Sequence, residues 1–220
     1  MITSPIEQAR FNMIEQQVRP WNVLDGEVLS LLAEVKRENF VPAAYQGIAF
    51  ADLEVPLGHG QAMLAPRLEA RLLQDLAVQK TDKVLEVGTG SGFMAALLGA
   101  RAQRVLSLEL VPELVSMARD NLQRASVGNV DVRQADGSQG AAADGPFDVI
   151  VLSGSVAEVP QALLQQLKVG GRLAAIVGEE PVMCATFITR TSDTNFRTTK
   201  PWDTIAPRLQ NFAEHSRFSF

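Results

Sequence analysis

Hydrophobic residues recur every three or four positions in the first third of the chain, which predicts amphipathic helices. Asp25 precedes the second of these helices and is its expected N-cap. The segment between the second and third helices is rich in proline and glycine and is expected to form a loop. The predicted helices cover residues 6–20, 25–38 and 66–78, and the loop covers residues 43–61.

From about residue 79 onward, short apolar segments alternate with helical ones. The segment 147–152 is almost continuously apolar, as is typical of a strand that is buried on both faces. This alternation predicts an α/β fold with a doubly wound, mostly parallel sheet. We expect residues 1–78 to form a helical cap with a substrate loop, and residues 79–220 to form a Rossmann-like domain, together making one structural unit. The predicted strands are 83–87, 104–109, 130–133, 147–152 and 172–177, with weaker candidates at 186–191 and 197–199, and the predicted helices are 91–100, 112–125 and 158–167.

Composition and charge narrow the class of protein. The chain has 220 residues, of which 46% are hydrophobic, so it can bury the core of one large domain. Its net charge of −5 disfavours a general nucleic-acid-binding protein, which usually carries a basic patch. The single cysteine, Cys184, excludes an intramolecular disulfide and fits a reducing compartment. No signal peptide or long apolar run is recognisable, so we expect a cytoplasmic protein without a membrane partner.

The first predicted strand is followed by a glycine-rich turn, and residues 84–92 read VLEVGTGSG. Glycines leave no side chains at the strand end, so a ligand can lie against bare backbone and the N-terminus of the next helix. A phosphate-binding P-loop is excluded, because the pattern G-x-x-x-x-G-K-[ST] is absent. The residues of the turn that we assign to ligand binding are Gly88, Thr89, Gly90 and Gly92.

The spacing of these glycines indicates which ligand is bound. A dinucleotide fingerprint starting at Gly88 requires a small residue at the position of Phe93. The pattern G-x-G-x-G, with an acid two residues upstream, instead resembles the first motif of Rossmann-like methyltransferases, which bind S-adenosylmethionine. The acid is Glu86, a carboxylate that is costly in an apolar strand unless it has a partner. Glu86 either orients the loop, contacts the amino-acid end of the ligand, or caps nearby backbone amides.

Two further acids follow the next two predicted strands. Glu109 lies 21 residues after Gly88, a spacing at which a carboxylate can accept hydrogen bonds from the two hydroxyls of a ribose. The alternative is a solvated acid or a cap of the following helix. Asp136 can accept a hydrogen bond from an exocyclic amine, and Gly137 leaves room for a flat ring, although an Asp-Gly pair also commonly forms a simple turn. We assign Leu110, next to Glu109, to the same ligand site.

Several segments together resemble the protein-L-isoaspartate O-methyltransferase family. Residues 35–42 (VKRENFVP) are similar to its V-x-R-E-x-F-V-P segment, and residues 50–61 to its Y-x-D-x-P-L-x-I-G-x-G-Q segment. Residues 86–98 match its glycine motif and the helix that follows it. The remaining similarities are residues 135–140 to G-D-G-x-x-G and residues 160–173 to P-x-A-L-x-x-Q-L-K-x-G-G-R-L.

The resemblance implies an S-adenosylmethionine-dependent methyltransferase that methylates isoaspartyl carboxylates in damaged proteins and releases S-adenosylhomocysteine. A carboxylate is already ionised at pH 7 and needs no general base, so no catalytic triad or metal is expected. The implied partner is a protein or peptide that carries isoaspartate. Neither nucleic acid nor membrane is implied, and the oligomeric state is not indicated. The implied substrate loop contains His59, Gly60 and Gln61, where the histidine either touches ligand or packs in the loop.

The chain departs from the family pattern at the acceptor side of the expected site. Leu64 stands where the T-I-S-x-P segment of the family has its active-site serine, and leucine cannot donate a hydrogen bond. Ser153 and Ser155, after the fourth predicted strand, are candidates to position the carboxylate instead. Two other functions therefore stay open: methyl transfer to a different acceptor, and a non-catalytic protein that binds S-adenosylmethionine.

Overall fold

The computed structural model describes residues 4–214 and contains a central sheet and a separate hairpin. The strands within these residues are β1 (Val55–Gly58), β2 (Gln61–Met63), β3 (Lys83–Val87), β4 (Arg104–Glu109), β5 (Val130–Gln134), β6 (Phe147–Val156), β7 (Leu167–Glu179), β8 (Val182–Arg190) and β9 (Phe196–Asp203). The hairpin pairs β1 with β2, and the seven-stranded sheet has the order β5-β4-β3-β6-β7-β8-β9. Strands β3 to β7 run parallel, whereas β8 and β9 are antiparallel.

Helices flank this sheet, so the mostly parallel α/β architecture predicted from the sequence is confirmed. They are α1 (Pro5–Met13), α2 (Gly26–Glu34), α3 (Pro66–Leu76), α4 (Phe93–Arg101), α5 (Pro112–Arg124) and α6 (Gln161–Leu164). Asp25 caps α2 as predicted, because its side chain accepts hydrogen bonds from the backbone amides of Glu27 and Val28. Across residues 4–214, no helix is both long and apolar enough to cross a membrane.

Three segments differ from the sequence prediction. Helix α2 ends at Glu34 rather than at residue 38, because the chain turns there and carries Arg37 into the interior. Helix α6 is a single turn, because β7 already begins at Leu167, which pairs with Phe147. The segment 43–61 contains more than a loop, since β1 and the start of β2 form a hairpin within it.

The sheet is packed on both faces. Its first face and the helices α2 to α5 share a core in which Phe40 and Phe93 meet with ring centroids 5.4 Å apart. Its second face packs against α6 and against a C-terminal segment that contributes Leu209 and Phe212. Because successive strand residues point to opposite faces, burial on both sides explains the continuous apolar run in β6.

A buried arginine joins the N-terminal region to the segment after β2. Arg37 is fully buried, donates hydrogen bonds to the carbonyl oxygens of Ala49 and Leu64, and forms an ion pair with Glu69 on α3. Its guanidinium also lies 5.1 Å from the ring centroid of Phe93. A buried charge is tolerated only when it is paired and hydrogen-bonded, and these contacts meet that requirement.

Candidate cofactor and acceptor site

The candidate residues after β3, β4 and β5 meet at one edge of the sheet. These strands are parallel neighbours, so their carboxyl ends lie side by side, which is where ligands of open α/β sheets bind. The residues that line the cleft at this edge include Gln61, Gly88, Glu109, Leu110, Asp136 and Gly137. The structure therefore brings together residues that are far apart in the sequence.

The glycine loop adopts backbone conformations that side chains disfavour. Gly88, Gly90 and Gly92 have φ angles of +91°, +53° and +86°, and α4 begins directly after them. A Cβ on Gly90 would lie 3.1 Å from Cδ1 of Leu57, which belongs to the β1–β2 hairpin. The loop is thus a close-packed backbone cradle that leads into a helix N-terminus, as a ligand that lies against the backbone requires.

Glu109 is buried at the end of β4 and is held by the glycine loop. Its Oε2 accepts a hydrogen bond from the amide of Gly90 at 2.9 Å, and its Oε1 accepts one from the amide of Val111 at 3.0 Å. Val111 is the N-cap residue of α5, so the carboxylate lies at the start of that helix, but no side chain caps the amides of its first turn. Each carboxylate oxygen has a further lone pair, so the same geometry fixes a carboxylate that can still accept two hydroxyl groups.

Asp136 and Gly137 form the adjacent wall. The Asp136 side chain accepts hydrogen bonds from the Ser138 amide at 2.9 Å and from Nδ2 of Asn211 at 3.0 Å. Although partial burial acts to raise the pKa of Asp136, these hydrogen bonds lower it below its ordinary value. A Cβ on Gly137 would lie only 2.3 Å from Cγ1 of Val87, so this close approach to β3 requires glycine.

Glu86 lies beneath the glycine loop and is fully buried. Its Oε2 accepts a hydrogen bond from Ser107 at 2.6 Å, and its Oε1 accepts one from Ser153 at 2.8 Å. The Ser107 hydroxyl is in turn 2.6 Å from the hydroxyl of Thr89. Burial raises the pKa of Glu86 to about 8, although both serine hydrogen bonds act to lower it. These contacts tie β3, β4, β6 and the glycine loop together, which supports the loop-orienting role.

The acceptor side is a narrow cavity of about 20 Å³ between the segment after β2 and the glycine loop. Leu64, Glu69 and Ser153 line this cavity, and Leu64 and Glu69 are almost fully buried. Burial raises the pKa of Glu69 to about 7, against the opposing effect of the Arg37 guanidinium. Leu64, at the position where the family has its active-site serine, therefore lies beside the glycine loop, but its side chain is apolar.

The two serines that follow the fourth predicted strand lie within β6 and differ in their surroundings. Ser153 is partly exposed and lines the acceptor cavity while its hydroxyl donates to Glu86. Ser155 is fully buried, and its hydroxyl donates to the carbonyl oxygen of Ala206 at 2.8 Å. Of the two hydroxyls, only that of Ser153 borders the cavity beside Leu64.

Of the substrate-loop residues, His59 and Gly60 form the turn between β1 and β2, and Gln61 begins β2. His59 and Gly60 have φ angles of +54° and +71°, and His59 is exposed, with its Nε2 4.0 Å from Oε2 of Glu113. Gln61 lines the cofactor cleft. The turn therefore lies near the cleft, with its histidine at the rim. The other histidine, His215, in which the sequence shows no functional signal, lies outside the described residues.

The residues that sequence reasoning missed come mainly from the C-terminal segment. Leu209, Gln210 and Phe212 line the cofactor cleft, and Asn211 contacts Asp136. Nothing in the local pattern of that segment indicates such contacts. Ser107 was also missed, although a polar residue in a buried strand is the same signal that drew attention to Glu86. In the part of the chain from residue 4 to residue 214, no group of three His, Cys, Asp or Glu side chains is placed to hold a metal ion.

Comparison with known proteins agrees with this geometry. The sequence model of the family "Protein-L-isoaspartate(D-aspartate) O-methyltransferase" matches residues 8–205. A protein-L-isoaspartate O-methyltransferase from Koribacter versatilis is 40% identical over 191 residues, covering 87% of this chain and 86% of the relative. Another from Methanoculleus marisnigri is 39% identical over 178 residues, covering 81% of each chain.

A solved structure has the same fold. It is a putative protein-L-isoaspartate O-methyltransferase from Plasmodium falciparum in complex with S-adenosyl-L-homocysteine, with a TM-score of 0.76 and 21% identity. The match covers 94% of this chain and 99% of that one. The Rossmann-like methyltransferase fold and the family resemblance expected from the sequence are confirmed. The chain belongs to the protein-L-isoaspartate(D-aspartate) O-methyltransferase family, whose members are S-adenosylmethionine-dependent methyltransferases.

Proposed function

We propose that this protein transfers the methyl group of S-adenosylmethionine to the side-chain carboxylate of isoaspartyl residues in proteins or peptides. The observation that carries the proposal is that Glu109, Asp136 and the glycine residue Gly88 line one cleft, in a chain of this family. The expected partner is a protein that bears isoaspartate, and the expected compartment is the cytoplasm.

The chemistry of the assigned cofactor-binding residues fits S-adenosylmethionine. Glu109 is fixed by two backbone amides and presents free lone pairs for a ribose diol. Asp136 is held as a carboxylate and can accept from the exocyclic amine of adenine. Gly88 and Leu110 line the same cleft. Glu86 acts from below by fixing the loop through its serine contacts.

When bound, the cofactor supplies an electrophilic methyl group on a sulfonium and leaves as S-adenosylhomocysteine. The acceptor carboxylate is ionised at neutral pH, so the protein does not have to remove a proton from it. Its task is to align the carboxylate oxygen with the methyl carbon and to exclude water. In this proposal the Ser153 hydroxyl, whose single proton is donated to Glu86 in the free protein, turns toward the acceptor carboxylate and positions it together with nearby backbone amides.

The test is methyl transfer from labelled S-adenosylmethionine to an isoaspartyl peptide, with the matched normal aspartyl peptide as control. The proposal expects base-labile methyl ester on the isoaspartyl peptide alone. Binding of S-adenosylhomocysteine is measured in parallel by calorimetry. If the protein binds the cofactor product but methylates neither peptide, the isoaspartyl function is refuted and the cofactor assignment stands.

A second candidate function is favoured by Leu64, which offers no hydrogen bond to a carboxylate. It is methyl transfer to a less polar acceptor, or cofactor binding without catalysis. Leu64→Ser and Leu64→Ala remove a similar apolar volume, but only the first adds a hydroxyl. If the acceptor is a carboxylate, the Ser variant should exceed the Ala variant in turnover by about tenfold or more, since one charge-stabilising donor is worth about 10²–10³ in rate. Equal turnover of the two variants favours the second candidate.

A further inference from the structure

The C-terminal strap, residues 206–212, runs across the ends of the central strands. Its backbone is anchored on one residue of β6, Ser155, and the Arg208 side chain also donates a hydrogen bond to the carbonyl oxygen of Gly178 on β7 at 3.0 Å. The Ser155 amide donates to the carbonyl of Pro207 at 2.7 Å, the Leu209 amide donates to the carbonyl of Ser155 at 2.9 Å, and the Ser155 hydroxyl donates to Ala206. The strap is therefore attached to the sheet by a short parallel bridge at this point.

The strap fills the cleft in which the cofactor is expected to bind. A Cβ on Gly88 would lie 2.7 Å from Cδ2 of Leu209, so this side chain covers the open backbone of the glycine loop. Leu209 and Phe212 are each only 8% exposed. The cleft that they leave has a volume of about 40 Å³. Ligand sites for small molecules usually measure about 300–1,000 Å³, so the cleft that remains with the strap in place is much smaller than a nucleoside site.

The strap also occupies Asp136, the carboxylate that is expected to accept a hydrogen bond from the adenine of the cofactor. Nδ2 of Asn211 donates to Oδ2 of Asp136 at 3.0 Å. A carboxamide NH₂ and the exocyclic NH₂ of adenine are both planar donors, so they compete for the same carboxylate. An apolar group against Gly88 and an NH₂ group at Asp136 together reproduce two contacts that the proposed cofactor would make.

We propose that the C-terminal strap is an intramolecular competitor of S-adenosylmethionine, which closes the cofactor site of the free protein and must leave before the nucleoside binds. This inference rests on the proposed cofactor. The strap can leave without unfolding the sheet, because its backbone is joined to β6 through Ser155 alone and it contributes no strand to the sheet core. Its departure exposes Leu209 and Phe212, which keeps the closed form favoured until ligand is present.

The strap lowers the apparent affinity for the cofactor, because the apparent affinity is the intrinsic affinity multiplied by the fraction of molecules in the open form. An open form populated at about 1–10%, which lies within the usual range for minor conformations, lowers the apparent affinity about 10- to 100-fold. We therefore expect the double variant Leu209→Ala/Asn211→Ala to bind S-adenosylhomocysteine about 10- to 100-fold more tightly than the unmodified protein. Asn211→Ala alone changes an exposed residue, keeps the core intact, and should tighten binding about 3- to 10-fold.

The matched control is Ile205→Ala, an exposed apolar residue directly before the strap, which should leave the affinity unchanged. Calorimetry with S-adenosylhomocysteine measures all four proteins. A second readout is cleavage by trypsin after Arg208, followed by mass spectrometry. Ligands usually protect proteins from proteolysis, but displacement of the strap should make this cleavage faster when S-adenosylhomocysteine is added.

The outcomes separate the two proposals. If the strap variants and the unmodified protein bind with equal affinity, or if ligand slows the cleavage after Arg208, the strap does not compete and the proposal is overturned while the cofactor assignment stands. If none of the proteins binds S-adenosylhomocysteine, the strap is not what blocks the site, and both proposals fail. Tighter binding by the strap variants, with ligand-induced cleavage, supports both.

Discussion

Glu86→Gln tests whether the carboxyl group beneath the glycine loop is held in its neutral form. The side chain is fully buried and accepts hydrogen bonds from two serine hydroxyls. Burial raises its pKa to about 8, whereas the ordinary value is 4.5. Glutamine keeps the shape and can bond to both hydroxyls, but it does not ionise. The substitution therefore removes the titration and little else.

The sign and size of the effect follow from proton binding. Between pH 4.5 and pH 8 the folded protein retains the Glu86 proton that the unfolded chain releases, so this group's contribution to stability falls as pH rises through that interval. A separation of about 3.5 pH units corresponds to about 5 kcal/mol over the full interval. From pH 5.5 to pH 7.5, the free energy of unfolding of Glu86→Gln should therefore gain about 2.5 kcal/mol relative to the unmodified protein.

Urea denaturation followed by tryptophan fluorescence measures the two free energies at pH 5.5, 6.5 and 7.5. Other titrating groups, including Glu69, are common to both proteins and largely cancel in the difference. Glu158→Gln, which makes the same change at an exposed position, is the matched control. A Glu86→Gln difference that stays constant within about 0.5 kcal/mol would refute the reasoning, because 2 pH units of differential titration cannot give so small a change.

Two further predictions concern the cofactor side of the site. Glu109→Ala should weaken binding of S-adenosylhomocysteine by about 1–3 kcal/mol in calorimetry, since hydrogen-bonded partners lose their acceptor. The control Glu113→Ala, at an exposed position of α5, should leave the affinity unchanged. If the affinity of Glu109→Ala is also unchanged, Glu109 does not belong to the site. Gly137→Ala should lower the free energy of unfolding by about 1–3 kcal/mol, because the new Cβ would lie 2.3 Å from Val87, whereas Gly128→Ala has open space around it. Equal thermal stability of the two alanine variants would contradict this packing argument.

The sheet and the glycine loop could be predicted because their signals are local. The predicted bounds of β3 and β4, residues 83–87 and 104–109, agree with the structure. Each strand is a short apolar segment between helical segments, and the turn residues that follow it mark its end. The acids after β4 and β5 could be placed together because parallel strands end at one edge of a sheet. The placement of Glu109 and Asp136 thus follows from the strand pattern.

The remaining contacts depend on distant segments of the chain. Nothing near residue 209 indicates that Leu209 packs on Gly88, because that contact depends on how the chain returns from β9. The burial of Glu69 on α3 likewise depends on Arg37, which comes from a different element. Helix α2 ends before the predicted residue for the same reason, because the chain turns to bring the charge of Arg37 to its partners in the interior. Sequence patterns reveal a polar residue in an apolar context, but they do not identify its partner.

The buried guanidinium of Arg37 also has a consequence for cooperativity. It binds the carbonyl oxygens of Ala49 and Leu64 and the carboxylate of Glu69, so opening any one of these segments strands a buried charge. The three segments should therefore behave as one cooperative unit in native-state hydrogen exchange, with similar opening free energies for their slowest amides. The backbone that carries Leu64 then has the rigidity of the interior rather than that of a surface loop, and changes in acceptor preference would arise through side chains on a fixed frame.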